Sequence, residues 1–215
     1  MDLEKVMTER HSTRVFLDKP IGRETVEKLL FLSTRGPSAI NLQPWEFTVV
    51  MGEERQRLSR ALVKTMRERN ISCGPDAVRP LPGYFIDRQR KLMDCILPSL
   101  DNGTDFQDFI NEGSCNFYGA PVAIILTIDQ AFSRSRLVDV GIAVGYMVLA
   151  AHNMGLGTCP IGLISAFDDE IREMLNIPDE KNVVIGIAVG YPDPDSPVNR
   201  TISERAPLHE VARFY

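Results

Sequence analysis

The residues best suited to chemistry in this chain form short polar strings. The first is Arg10-His11-Ser12-Thr13-Arg14, which sets two guanidinium groups, two hydroxyls and an imidazole within five residues. A planar guanidinium grips a phosphate through parallel charge-assisted hydrogen bonds, and hydroxyls add contacts to phosphate or sugar oxygens. Taken alone, the string reads equally well as a solvated basic loop. The second is Pro37-Ser38-Ala39-Ile40-Asn41-Leu42-Gln43-Pro44-Trp45, a polar turn held between prolines and ending in the only Trp. Rigid loops bearing amides suit the edge of a flat heteroaromatic ring. The same amides could instead cap their own backbone, with Trp45 in the core. The third is Gly155-Leu156-Gly157-Thr158-Cys159-Pro160-Ile161-Gly162. It is not a dinucleotide fingerprint, because its glycines follow a helix instead of joining a strand to a helix. It reads as a helix C-cap followed by a backbone-rich loop open to close ligand approach. The fourth is the tail, where Arg200 or Arg205 could close over an anion or simply face solvent.

Other chemistries find no support. The chain lacks G-x-S-x-G, a P-loop lysine motif and H-E-x-x-H. Cys73, Cys95, Cys115 and Cys159 show no C-x-x-C spacing, and His11, His152 and His209 are scattered, so no metal is expected. A net charge of −5 without a dominant basic patch argues against a nucleic acid or acidic membrane as partner. The first residues lack the basic and apolar regions of a signal peptide, so a cytoplasmic protein with reduced thiols is expected.

Periodicity supplies the elements that must position these strings. Helical spacing is expected from Leu3 to Arg10, Arg23 to Ser33, Glu53 to Asn70, Ile86 to Leu97, Arg136 to Asn153 and Asp168 to Leu175, with a short turn of helix from Phe106 to Ile110. Strands are expected at Phe47 to Met51, Pro121 to Ile128 and Val183 to Val189, the last two central. Residues 72–119 are the least regular, with turn signals such as Gly74-Pro75, Pro82-Gly83 and Asn102-Gly103, and suit either a lid over a site or a surface excursion. Their aromatics, Tyr84, Phe85, Phe106, Phe109, Phe117 and Tyr118, could stack on a ring, although packing is the commoner role. Gly141 and Gly145 allow close approach to the 136–153 helix, internally or between subunits. Few strands among many helices, without strict alternation, indicate an α+β fold: a small central sheet flanked by helices. One domain over 1–215 is expected, with 198–215 as an extended arm.

In this order, the four strings resemble the FMN-dependent nitroreductase family. The resemblance implies a homodimer with exchanged C-terminal arms and FMN at the subunit interface. It assigns Arg10, His11, Ser12 and Arg14 to the phosphate and ribityl chain. It assigns Pro37, Ser38, Ala39 and Asn41, from the other subunit, to the flavin edge. Pro160, Ile161, Gly162 and Leu163 would run along the isoalloxazine, with the Gly162 N–H near N5, and Arg205 would return to the phosphate. Where many members have a second tail cation, this chain has Ser203. A cation near flavin N1 and O2 would be Lys64, Arg67 or Arg69. The implied activity is ping-pong electron transfer from NAD(P)H to a nitroaromatic, quinone or similar flat acceptor, with no side chain needed as catalyst beyond the flavin. The alternatives are a reductive dehalogenase or flavin-destroying enzyme of the same fold, or a flavin-storage protein.

Overall fold

The computed structural model describes residues 2–100 and 103–215; Asn102 of the expected Asn102-Gly103 turn lies outside them. Its centre is a four-stranded sheet in the order β1-β2-β4-β3. The strands are β1 (Trp45–Met51), β2 (Val122–Asp129), β3 (Gly157–Ile161) and β4 (Lys181–Gly190), all antiparallel to their neighbours. The Val-Ile-Leu runs of β2 and β4 occupy the middle because both their faces are covered. One face carries α3 (Gly52–Arg69), α5 (Phe106–Cys115) and α7 (Asp168–Leu175), packed around Leu58, Leu62, Ile125, Phe167 and Ile171. The other carries α2 (Arg23–Ser33) and α6 (Leu137–Asn153), packed around Leu29, Trp45, Ile124, Met147 and Ile187. The expected α+β fold is therefore observed, and the bounds expected for α2 and α7 match those seen.

Two expectations need correction. The expected loop after α6 is in fact edge strand β3, paired with β4 from Gly157↔Gly190 to Ile161↔Gly186. Pro160 is tolerated because an edge strand has a side that needs no N–H donor. The C-cap at Gly155 is as expected: φ is +76°, and the N–H groups of Gly155 and Leu156 donate to the carbonyls of His152 and Ala151 at 3.0 and 2.8 Å. That pairing closes the helix and turns the chain directly into β3. The second correction is α5, which continues to Cys115 where only a short turn ending at Ile110 is expected. Asp105 caps it by accepting from the N–H groups of Gln107 and Asp108.

The helical stretch Arg134–Asn153, most of it α6, is long and apolar enough, by length and composition, to cross a membrane, and α6 lies instead along the sheet. Its outer face leaves Val138 65 % exposed and Tyr146 43 % exposed. The tail, with a short helix α8 (Leu208–Val211), packs back on α4 (Gly83–Ile96) through Arg88–Glu210 and Lys91–Glu204 ion pairs at 3.1 and 3.2 Å.

Candidate functional site

The segment after α1 (Leu3–Glu9) runs beside edge strand β3, with a parallel bridge between Ser12 and Thr158. The Thr13 N–H donates to the Thr158 carbonyl at 2.9 Å. This approach requires Gly157, since a Cβ there would overlap the Thr13 side chain. The other anchor is Asn199, 5 % exposed. Its Oδ1 accepts from the N–H groups of Arg14 and Val15 at 2.9 and 3.2 Å, and its Nδ2 donates to the carbonyls of Val15 and Asp193 at 2.7 and 3.0 Å. Nothing in the sequence marked Asn199, because an amide that satisfies remote backbone leaves no local pattern.

So held, Arg10, Ser12 and Arg14 gather around Cys159 and Tyr118. Arg205 stands close enough to Arg10 that burial and this second cation together lower the Arg10 pKa. The Arg14 Nε is buried without a hydrogen-bond partner. Arginines massed with an unmet donor form a site for an anion, because like charges repel until one is bound between them. The terminal phosphate of a mononucleotide such as FMN fits this donor set. Burial pushes the Tyr118 phenol up to about 12, so it stays a neutral donor beside Arg14. Phe117 and Tyr118 hold φ of 55° and 52°, and Gly113 leaves the room that the Tyr118 ring fills. Two consecutive aromatics in the left-handed region mark stored strain at this wall.

Of this cluster, Arg14 lines the wall of a cleft of about 670 Å³. Its floor is Cys159, Pro160, Ile161, Gly162 and Leu163, so the four expected ring-facing residues do line one surface. Its roof comes from the 72–119 segment: Cys73, Leu81, Phe85, Arg88, Phe106 and Ile110. Asn111 ties the roof together by accepting from the Cys73 N–H at 2.7 Å.

Other expected residues lie elsewhere. Arg10 and His11 line a smaller cleft of about 190 Å³, shared with His152 and Arg200, and His11 places Nδ1 2.9 Å from the Glu9 carbonyl. Arg205 donates to the Ser203 carbonyl and hydroxyl, both at 2.7 Å, and lines a neighbouring cleft between the tail and α4. Pro37, Ser38, Ala39 and Asn41 do not line the main cleft. Their turn sits against α6: the Ala39 N–H donates to Asp139 at 3.4 Å, and a Cβ on Gly36 would press on Ile142. Ile40, Asn41 and Gln43 all hold positive φ, and Ile40 is 91 % exposed. Lys64, Arg67 and Arg69 pair with Glu68, Glu112 and Glu170 on the outer side of α3 and are absent from the cleft wall. The wall's cations, among the described residues, are Arg14 and Arg88.

Known proteins resemble this chain in sequence and fold. The chain is 31 % identical to a 4-nitrobenzoate reductase of Pseudomonas putida, over 92 % of this chain and 88 % of that one. It is 29 % identical to a chloronitrobenzene nitroreductase of Comamonas testosteroni, over 99 % and 96 %. The solved structure of the FMN-dependent nitroreductase NfnB from Mycobacterium smegmatis in complex with NADPH superposes with a TM-score of 0.87 at 28 % identity, covering 99 % and 97 %. The pattern of the nitroreductase family matches residues 7–191, which takes in the arginine string, the sheet and the cleft floor, and this chain belongs to that family.

Proposed function

We propose that this protein is a cytoplasmic, FMN-dependent oxidoreductase that passes electrons from NAD(P)H to a nitroaromatic, quinone or similar flat acceptor. The observation that carries the reading is Arg14: its buried Nε lacks a partner, it belongs to the same cluster as Arg10, which has Arg205 nearby, and it lines a largely apolar cleft wide enough for a planar ring. FMN bound there would supply two-electron redox chemistry between NAD(P)H and the acceptor, in ping-pong order. The names of the relatives, nitroaromatic reductases and an FMN-dependent enzyme complexed with NADPH, support both substrates.

The chain's own groups then have separable tasks. Arg10, Ser12, Arg14 and Arg205 hold the phosphate, with His11 at the edge of that loop. Pro160, Ile161 and Leu163 would support the ring, and Gly162 would offer its backbone N–H to it without a side chain in the way. The 72–119 roof excludes water and covers the acceptor.

A second copy of the chain completes the site in this reading. Val138 and Tyr146 on α6, and Ile40 on its strained turn, form an exposed apolar face that suits a subunit interface. Pro37, Ser38, Ala39 and Asn41 would reach the flavin from there. Beyond the buried Val198 and Asn199, the 198–215 arm is held to α4 by ion pairs between exposed side chains, each worth about 0.2–1 kcal/mol, so exchanging that outer part between copies costs little.

Acid extraction and anaerobic titration test the proposal together. The purified protein is expected to release FMN, to bleach with NAD(P)H and to recover its yellow colour on adding a nitroaromatic. Release of FAD would overturn the cofactor assignment, and a flavin that NAD(P)H cannot bleach would leave a storage role.

A further inference from the structure

The roof of the cleft carries a charge that binding a neutral ring does not require. Arg88 projects from α4 with its guanidinium 5.3 and 5.6 Å from the ring centres of Tyr84 and Phe85, which steer its plane by cation–π contact. It borders two spaces at once: the main cleft and the neighbouring cleft of about 620 Å³ between α4 and the tail. On the tail side, its Nη2 donates to Glu210 Oε2 at 3.1 Å. A guanidinium has five N–H donors in a planar fork, so one exposed pairing leaves most of its capacity unused. No Asp or Glu lines the main cleft among the described residues, although the chain as a whole carries a net charge of −5. Arg14, the other cation in the wall, belongs to the phosphate cluster. Arg88 is thus the cation left to the acceptor end.

We propose that Arg88 is a specificity residue that selects flat aromatic acceptors carrying an anionic substituent, with a ring carboxylate as the recognised group. The inference rests on the functional reading above and refines it. The ring would sit among Phe85, Phe106 and Ile110 over the Pro160–Leu163 floor, and the carboxylate would meet Arg88 where α4 borders the tail. A neutral ester of the same acid buries the same area and gains no charge-assisted bond. A charge-assisted bond of this kind typically separates the two by about tenfold or more.

The experiment compares 4-nitrobenzoate with methyl 4-nitrobenzoate as acceptors for the FMN-loaded protein. Calorimetric binding of benzoate and benzamide to the oxidised protein is measured in parallel. In the wild type, the acid is expected to exceed the ester in kcat/KM by about tenfold, and benzoate to bind more tightly than benzamide. In Arg88→Gln both preferences should collapse toward one, and Arg88→Lys should restore part of them. Unchanged preferences in Arg88→Gln would overturn the proposal. So would an Arg88→Gln protein whose only change is slower flavin bleaching by NADPH, since the cation would then serve the nicotinamide dinucleotide. A wild type that reduces neither acceptor would count against the functional reading, and the benzoate calorimetry would still decide the role of Arg88.

Discussion

The floor and the roof of the cleft are built on different principles. The floor is sheet: Cys159 to Ile161 belong to β3, hydrogen-bonded to β4, and the Arg10–Arg14 string lies alongside under the control of Asn199. The roof is helix on surface: α4 buries only Ile96 and is tethered to the tail by ion pairs between exposed side chains. Local stability follows buried contacts, so the floor opens only with the global fold, whereas the roof can rearrange alone. A rigid floor suits a cofactor held through every turnover. A loosely held roof would suit the proposed entry of reductant and acceptor in turn.

The largest expected effect lies in the floor. Arg14→Ala removes a charge-assisted donor from the anion cluster and should weaken FMN binding by about 1.5–3 kcal/mol, read by fluorescence titration of apoprotein with FMN. Native affinity in that variant would show that the cluster does not hold the phosphate. Next comes Asn199→Ala, which strands the Arg14 and Val15 N–H groups and the Val15 carbonyl. Leaving such groups unmet should cost about 1–3 kcal/mol in urea unfolding, with FMN binding weakened as well. A variant that loses stability yet binds FMN normally would separate the anchor from the site.

A pH test follows. Burial first, then Glu112 and Cys73, pushes the Cys115 thiol up to about 12 from an ordinary value of 9.0. Below about 9 the thiol is protonated in both folded and unfolded chains, and this contribution to stability is fully present. Above that, the unfolded thiol ionises while the folded one keeps its proton. Stability should therefore fall as pH rises toward about 12, and Cys115→Ala should flatten the decline. Urea midpoints at pH 8, 9 and 10 would show it (roughly the span in which the unfolded thiol ionises). An equal decline in the variant would place the titrating group elsewhere.

The smallest effect belongs to the roof. Glu204→Gln with Glu210→Gln breaks both tethers of α4 to the tail and should change global stability by no more than about 1 kcal/mol per pair. Limited proteolysis within 72–100 should nevertheless quicken, because the local opening no longer breaks those pairs. Proteolysis at the wild-type rate would mean that the roof is as firmly held as the floor, and the contrast would fail.

Legibility in the sequence divides along the same line. Helices α2 and α7 and strands β2 and β4 were readable because their apolar residues recur with the period of the element that buries them. Strand β3 was not, because Gly157 and Pro160 are poor strand formers and only pairing with β4 extends them. The left-handed Phe117 and Tyr118 carry no signal either, since aromatic side chains rarely accept that conformation unless their surroundings impose it. Arg88 looked like any charged residue on an exposed helix.

What the sequence alone determined is the type of chemistry. Arg10, Ser12 and Arg14 set two guanidinium groups and a hydroxyl within five residues, a donor set suited to phosphate, and the glycine-bearing stretch after the apolar helix can offer backbone N–H groups at close approach. What only the tertiary structure decided is where that chemistry meets its surroundings. Asn199 aims the arginine string from 185 positions away along the chain. The Pro37–Asn41 turn lies against α6 and outside the main cleft. Arg88 borders the main cleft while Glu210 holds it from the tail. The physical reason is range. Periodicity and capping act over a few residues and are written locally, whereas a hydrogen bond or ion pair across the fold depends on both partners being carried there by the packing of every element between them.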